Sequence, residues 1–385
     1  MTQTIHVDLA ILGAGCAGLS LARELAVLDI KKSVVVVEPR DTYQDDRSWC
    51  FWATQEHQLT ALVSHTWSSW LFGQAGQEVH ARDCAGHHYQ YIRSADFYRE
   101  SLKALAKCPS IKLHAGSAVS SVTSHEDGWE VVLTNRNTYI AQQVVDTRPP
   151  SQEVVAQSTL FQCFFGAEIK LERPSGISLE QMELMTDMRI VNGDFCFTYI
   201  LPYATDHLLV EVTFFSQTPL TLGQLQSELD HLLTQRGWRN AKTIRTEFAY
   251  LPMGLPEPPK DLAAPISAGL RGGALRPSSG YGFMRIQRWA QSCAKLYHER
   301  GNLLPQTRSG FWLKQMDKLF LAVLRKEPTL APLIFERLLG QLEPERFVRF
   351  MDDRASLSDC LHVIACMPKV PFLRALVSRQ SQPSP

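Results

Sequence analysis

The 385-residue chain has no excess of either charge, because 39 lysines and arginines balance 39 aspartates and glutamates. Proteins that bind nucleic acid usually carry a net basic surface, so we do not expect a nucleic-acid partner. No run of 18 uninterrupted apolar residues occurs, and hence no membrane-spanning segment is expected. The N-terminal stretch Met1–Asp8 is short and polar, which does not predict a secretory signal.

Paired cysteines are also missing, since the nine cysteines are scattered singly and form no Cys-x-x-Cys motif. This pattern is typical of small buried side chains in a reducing compartment, so we expect a cytoplasmic protein without a disulfide framework or a bound metal. The length exceeds what one hydrophobic core usually serves and predicts two connected domains.

A nucleotide-binding signature is present at the N-terminus. The apolar run Val7–Leu12 is followed by Gly13-Ala14-Gly15-Cys16-Ala17-Gly18, then by apolar residues at helical spacing, and then by the strand-like Ser33–Val37. Glu38 lies 20 positions after Gly18, the spacing of an acidic residue that binds ribose hydroxyls. Glycines here allow a tight turn, approach of a pyrophosphate and close helix packing. The motif alone fits FAD or NAD, and the long β-rich region that follows favours FAD.

The remaining pattern predicts an α/β fold with a Rossmann-type domain, an antiparallel β-rich substrate domain and a helical C-terminal region. We assign residues 1–65, 92–148 and 260–300 to the FAD-binding domain. Residues 66–91 and 149–259 form the substrate domain, and residues 301–385 are helical. The aromatic-rich stretch Asp46-Arg47-Ser48-Trp49-Cys50-Phe51-Trp52 is predicted to be a loop.

Several segments, in order and at consistent spacing, resemble the bacterial lycopene β-cyclases over essentially the whole chain. The similar segments are Asp46–Trp52, Gln162–Glu168, Glu183–Arg189, Phe195–Phe215 (FCFTYILPYATDHLLVEVTFF), Gly269–Phe283 (GLRGGALRPSSGYGF) and Pro368–Leu376 (PKVPFLRAL). The resemblance implies a fold like that of flavin hydroxylases, bound FAD that NAD(P)H reduces, and the C40 polyene lycopene as substrate. It further implies an isomerase of carotenoid biosynthesis that closes ψ-ends into β-rings without net oxidation.

Further cofactor contacts are expected from Arg47, Asp146, Gly280 and Tyr281. A solvated loop position is an equally good interpretation of Arg47. The late turn departs from the Gly-Asp pattern of many flavin hydroxylases, because Arg271 stands where an aspartate is common.

Glu211 is the predicted acid and base of the cyclisation. In a strand, Leu209, Glu211, Thr213 and Phe215 share one face, which places a carboxyl group on a largely apolar surface. The alternative is an edge-strand glutamate that reaches solvent. Asp187 and Glu168 are second-rank candidates, which ordinary solvated or paired charges would equally explain.

A channel for a long polyene is expected from aromatic side chains of two segments, although half of such residues typically belong to the core. The predicted channel residues are Trp49, Phe51, Trp52, Phe197, Tyr199 and Phe215. The hairpin register does not reveal which of Phe197, Thr198 and Tyr199 lies beside Glu211. The segment Phe311–Arg325 combines apolar and basic residues, which favours peripheral membrane attachment or packing against the flavin domain.

Two other functions fit the same sequence. One is an FAD-dependent oxidoreductase, such as a hydroxylase or a polyprenyl reductase, because a fold does not determine a function. The other is a non-catalytic carotenoid- or flavin-binding protein, which does not need a half-buried carboxyl group.

Overall fold

A computed structural model describes residues 4–54, 56–83, 86–257 and 264–380. The strands within these residues are β1 (Thr4–Leu12), β2 (Val34–Val37), β3 (Ser48–Ala53), β4 (Val63–Trp67), β5 (Ser69–Gln74), β6 (His80–Asp83), β7 (His88–Arg93), β8 (Ile111–His114), β9 (Val119–His125), β10 (Gly128–Leu133), β11 (Thr138–Asp146), β12 (Leu160–Lys170), β13 (Gln181–Val191), β14 (Asp194–Ala204), β15 (His207–Ser216), β16 (Lys242–Met253) and β17 (Ile266–Ser267). The helices are α1 (Cys16–Val27), α2 (Ser94–Ala106), α3 (Gln152–Val155), α4 (Leu222–Gln235), α5 (Phe283–Arg300), α6 (Phe311–Lys326), α7 (Ala331–Gln341), α8 (Pro344–Met351), α9 (Leu357–Cys366) and α10 (Lys369–Gln380).

The first sheet is the predicted nucleotide-binding sheet, with strand order β8-β2-β1-β11-β10-β9 and with β17 paired to β11. Its strands β8, β2, β1 and β11 run parallel. All four valines of β2 are buried, as expected for a strand of a parallel sheet that is covered on both faces. Because the strands are parallel, the turn after β1, Glu38 after β2 and Asp146 at the end of β11 lie at the same sheet edge.

The second sheet carries the substrate region, in the order β16-β12-β15-β14-β13-β5-β6. It is antiparallel except that β5 runs parallel to β13. One face packs on α4 through Leu225, Leu229 and Leu232. The opposite face packs on the C-terminal helices α6 to α10. The predicted architecture, a Rossmann-type unit with a β-rich domain and a helical C-terminal region, is therefore confirmed.

A buried ion pair ties the C-terminal helices to the late turn between β17 and α5. The side chains of Arg276 and Asp317 are 0% and 1% exposed, and their closest N–O distance is 3.2 Å. Ser278 also donates a hydrogen bond to Asp317. Removing one partner of such a pair leaves an uncompensated charge, so this contact strongly favours a fixed position of α6 against the turn.

The prediction of a loop at Asp46–Trp52 was wrong for most of that stretch. Residues Ser48–Ala53 form β3, which pairs residue by residue with β7 in a three-stranded sheet of order β3-β7-β4. Aromatic residues have a high strand propensity, and the pairing partner lies forty residues further along the chain. Strands β4 and β7 cross the predicted domain boundaries near residues 65 and 91, and the boundaries remain a prediction.

Candidate active site

A cavity of about 940 Å³ lies between the nucleotide turn, the substrate sheet and the C-terminal helices. All three regions contribute to its wall: Gly15 and Cys16 from the turn, Glu211 and Phe215 from the sheet, and Leu373 from α10. Its volume is at the upper end of the range for small-molecule sites, and its wall is mostly apolar. Within the described residues, one continuous hollow thus connects the glycine turn with the substrate sheet and the C-terminal helices.

The glycine turn has the shape that a dinucleotide requires. Gly13 has a φ of +91°, which a side chain would disfavour. A Cβ atom on Gly18 would lie 1.9 Å from the carbonyl oxygen of Gly13, so α1 packs against the turn only with glycine there. A Cβ atom on Gly15 would meet no protein atom within 4 Å. The space beside Gly15, at the N-terminus of α1, fits a phosphate group.

Glu38 closes the turn from the end of β2. Its side chain is 5% exposed, and its Oε2 accepts a hydrogen bond of 2.7 Å from the backbone N–H of Ala14. Its Oε1 accepts a hydrogen bond of 2.7 Å from Nε of Arg40, which lines the cavity. The predicted contact to a ribose remains a prediction, and Arg40 is a candidate cofactor residue that the sequence did not reveal.

The other predicted cofactor residues are not all at the cavity. Arg47, Gly280 and Tyr281 line it. Asp146 is not among the described residues of the wall. Its carboxylate accepts hydrogen bonds from the backbone and side chain of Arg148. Nε of Arg271 lies 3.5 Å from the same carboxylate. This arrangement directs Arg271 to the end of β11.

Glu211 lies in the cavity wall at the centre of β15. Leu209, Thr213 and Phe215 line the cavity on the same face, as the alternation of the strand predicted. The hairpin register, which the sequence left open, places Tyr199 opposite Glu211. The Thr213 hydroxyl donates a hydrogen bond of 2.8 Å to Oε1 of Glu211.

The surroundings of Glu211 favour its protonated form. Burial raises the pKa of this carboxyl from 4.5 to about 8, and the negative charge of Glu247 adds to the rise. The Thr213 hydroxyl and the Arg245 guanidinium act in the opposite direction. A carboxyl group that keeps its proton near neutral pH, against an apolar hollow, is suited to act as a general acid.

Glu168 belongs to a buried charge network and lines no part of the described cavity wall. It accepts hydrogen bonds from Arg93, Arg245 and His207 at 3.1, 2.5 and 2.8 Å. Burial opposes its charge, but these donors outweigh burial and lower the pKa of Glu168 below 4.5. A carboxylate held ionised in this way anchors the arginines and is poorly suited to donate a proton.

Asp187 likewise lies outside the described wall of the cavity. It has a φ of +52°, at an irregular position of β13. Its carboxylate pairs with Arg189, which also binds Glu228 on α4. The structure therefore separates both second-rank carboxylates from the hollow.

Five of the six predicted channel aromatics line the cavity: Trp49, Trp52, Phe197, Tyr199 and Phe215. Phe51 does not, since it belongs to the core of the nucleotide domain and stacks on Phe283 with a ring-centroid distance of 5.3 Å. The assignment of Phe51 to the channel is corrected accordingly.

Two features of the site were missed at the sequence level. Glu247 on β16 lines the cavity and is 4% exposed. The hydroxyl of Tyr199 donates to that of Tyr89 at 3.0 Å, and Tyr89 lies 2.9 Å from the hydroxyl of Tyr281. The sequence contains one signal for Glu247, which is a charged residue in the middle of a strand. It contains none for the tyrosine cluster, because the three tyrosines come from distant segments.

A family model described as lycopene cyclase protein matches residues 8–377. The chain belongs to the lycopene cyclase family. It is 26% identical over 389 residues to the lycopene beta-cyclase of Pseudescherichia vulneris, with 95% of each chain covered. It is 24% identical to the lycopene beta-cyclase of Pantoea ananas, with 96% of this chain and 97% of the relative covered.

Solved structures related to this family member share its fold at low identity. A geranylgeranyl bacteriochlorophyll reductase-like protein from Thermoplasma acidophilum matches with a TM-score of 0.62 at 12% identity, covering 98% of this chain and 100% of the other. A mutant of the halogenase PltM in complex with FAD matches with a TM-score of 0.56 at 14% identity, covering 98% and 93%. The fold is thus one that FAD-dependent enzymes use.

The described residues contain no group of three or more His, Cys, Asp or Glu residues arranged to hold a metal ion. Within the same residues no single helix is long and apolar enough to cross a membrane. Helices α9 and α10 reach that length and composition together, but they meet at an angle of 107°.

Proposed function

We propose that this member of the family is a lycopene β-cyclase that converts the ψ-ends of lycopene into β-rings, by way of γ-carotene to β-carotene. The observation that carries the proposal is the carboxyl group of Glu211, set in the wall of a large apolar cavity with its pKa raised. The reaction is an isomerisation, because one proton enters and one leaves for each ring and no electrons are transferred overall.

The proposed reaction begins when Glu211 gives its proton to the CH carbon of the terminal double bond, which leaves a tertiary cation on the dimethyl-substituted carbon. The next internal double bond then attacks this cation and closes a six-membered ring. Loss of a proton from the ring to a carboxylate sets the new double bond and restores the acid. The apolar wall keeps water from capturing the cation, and the aromatic faces of residues such as Trp52 and Phe197 stabilise positive charge.

FAD is the proposed cofactor, and the turn Gly13–Gly18, Arg40 and Glu38 would hold its adenosine diphosphate half. Reduced FAD, formed with NAD(P)H, would supply an electron-rich surface that stabilises the developing positive charge. The open space beside Gly15 and the continuity of the cavity from Gly15 to Glu211 support this assignment.

Peripheral membrane binding is the proposed route by which the hydrocarbon reaches the cavity. Large exposed apolar side chains cluster on α6, α9 and α10, and we name them the C-terminal apolar patch: Phe311, Trp312, Leu357, Leu361, Ile364, Val370, Leu373, Leu376 and Val377. Trp312, Ile364, Leu373 and Leu376 also line the cavity. The buried residues Leu321 and Leu324 of α6 belong to the core that α6 shares with the substrate sheet, and the membrane role of its exposed residues remains a proposal.

Expression in a lycopene-accumulating bacterial cell tests the proposed function directly. We expect chromatography to show monocyclic and dicyclic carotenoids with the mass of lycopene. In a purified assay, NAD(P)H consumption is expected not to follow product formation one to one. Consumption in proportion to a product of changed mass would instead identify a redox flavoprotein.

The C-terminal apolar patch is expected to drive binding to lipid vesicles. Replacing Phe311, Trp312, Leu373 and Val377, each at least 60% exposed, by serine should weaken co-sedimentation with vesicles at least about tenfold, because each side chain contributes about 1.5–3 kcal/mol when fully buried. Val27→Ser and Ile244→Ser, which change exposed apolar residues elsewhere, serve as the matched control. Equal vesicle binding by the patch variant and the control variant would rule out this surface.

A further inference from the structure

Two glutamate side chains lean towards one glycine in the substrate sheet. Glu211 on β15 and Glu247 on β16 are both register partners of Gly166 on β12. The backbones of β15 and β16 lie two strand spacings apart, about 10 Å. A Cβ atom on Gly166 would lie 3.3 Å from Cβ of Glu211, 3.4 Å from its Oε2, and 3.4 Å from Cγ of Glu247. Glycine thus leaves free the space into which both side chains lean.

Glu247 is buried with an incomplete set of hydrogen bonds. Nη1 of Arg245 lies 3.4 Å from its Oε2. Its Oε1 is buried and has no hydrogen-bond partner within the described part of the chain. Buried polar oxygens are almost always satisfied, so the unpaired Oε1 of Glu247 is an unusual feature of this part of the sheet.

Positive charge is too scarce around the pair to keep both carboxyls ionised. Arg245 is the closest cation, and it also binds Glu168 and lies 3.3 Å from Asp45. Other titratable, charged or hydroxyl groups among the described residues face the pair or line the same cavity. They are Cys16 on α1, Tyr89 on β7, Tyr98 on α2, Thr213 on β15, Tyr199 and Tyr203 on β14, Ser48 and Cys50 on β3, Arg40, Asp46 and Arg47 before β3, Ser278, Ser279 and Tyr281 on the late turn, and Asp317 and Lys369 on the C-terminal helices.

Burial raises the pKa of both carboxyls. At Glu247 the positive charge of Arg245 is the largest influence that opposes this rise. The Arg47 charge and the Ser48 hydroxyl also favour the ionised form of Glu247. When two carboxyls share a poorly solvated site, one keeps a proton while the other carries the charge. The proton is therefore expected mainly on Glu211 and the charge on Glu247.

We propose that Glu211 and Glu247 hold one proton between them across Gly166, and that Glu247 acts through Glu211 as its proton-sharing partner in the cyclisation. This inference rests on the proposed cyclase function. Glu211 loses its proton to the CH carbon of the terminal double bond, which leaves two neighbouring carboxylates beside the cation. Their mutual repulsion makes the pair strongly basic, and it regains one proton from the ring when the new double bond forms.

The first test needs neither substrate nor turnover. Infrared spectroscopy of the FAD-loaded full chain should show a buried protonated carboxyl that persists at neutral pH. Glu247→Gln removes the repulsion from Glu211 and should lower the titration midpoint of that band by at least about one pH unit. Glu183→Gln changes a buried carboxylate of the same sheet that Arg236 and Thr186 hold, and should leave the midpoint unchanged. An unmoved midpoint in Glu247→Gln overturns the shared proton.

The second test measures cyclisation with reduced FAD. Glu247→Gln should turn over about 10²-fold more slowly, with the alkaline limb of its pH profile moved to lower pH, and Glu247→Asp should recover part of the rate. A wild-type rate and profile in Glu247→Gln would overturn the proposal. Failure of the wild-type chain to cyclise lycopene would refute the proposed function, while the infrared result would still decide the proton sharing.

A third variant covers the case in which substitutions at Glu247 prevent FAD retention. Gly166→Ala keeps both carboxyls but places a methyl group at the contact distances given above. We expect it to lower the midpoint of the infrared band by separating the two groups. An unchanged band in a correctly folded Gly166→Ala chain counts against the pair.

Discussion

Replacement of Glu211 by glutamine should reduce ring formation at least about 10³-fold while FAD remains bound, because the amide keeps the shape of the side chain but cannot donate the initiating proton. The measurement is the rate of conversion of lycopene in vesicles by purified enzyme with reduced FAD. Flavin absorbance and the melting temperature report whether the variant is otherwise intact.

The control for this variant is Glu183→Gln, since Glu183 is a buried carboxylate on β13 outside the described cavity wall. A wild-type rate in Glu211→Gln would refute the assignment. The pH dependence provides a further check. Because the pKa of Glu211 is raised to about 8, the wild-type rate should fall as the pH rises through that region and the carboxyl ionises.

Gly18→Ala should yield a chain that does not retain FAD. The added methyl group would lie 1.9 Å from the carbonyl oxygen of Gly13, so the turn and the start of α1 must separate. Such a shift displaces the N–H groups that would bind the pyrophosphate. Flavin content after purification and FAD affinity by fluorescence are the measurements, and a FAD content equal to that of the wild type would contradict this role.

Variants at two other glycines distinguish a lost phosphate site from a disturbed fold as the cause of the FAD loss. A Cβ atom on Gly15 meets no protein atom within 4 Å, so Gly15→Ala should leave the apoprotein's melting temperature unchanged while weakening FAD binding. Gly223→Ala on α4 also meets open space and should affect neither property. Equal FAD affinity in Gly15→Ala and Gly223→Ala would exclude pyrophosphate from the space beside Gly15.

Local periodicity explains what could be predicted from the sequence. The strand–glycine–helix pattern located the nucleotide turn, and the alternation in β15 placed Glu211 on the face it shares with Leu209 and Phe215. Both patterns depend only on residues close together in the chain.

Contacts between distant strands explain what could not be predicted. Glu247 reaches Glu211 because β16 and β15 both pair with β12, and nothing in the local sequence gives that order. Glu168 stayed a candidate acid because nothing in the local sequence shows that its hydrogen-bond partners come from β7, β15 and β16. The strand at Ser48–Ala53 was missed because its pairing partner, β7, is remote in sequence.

The carboxyl pair occupies one place in the cavity wall, whereas lycopene has two equal ends. Only one end can reach the carboxyl pair at a time, so the formation of two rings requires two successive binding events. Between these events the monocyclic polyene has to leave the cavity and bind again in the opposite orientation. The monocyclic product is therefore expected to appear before the dicyclic one.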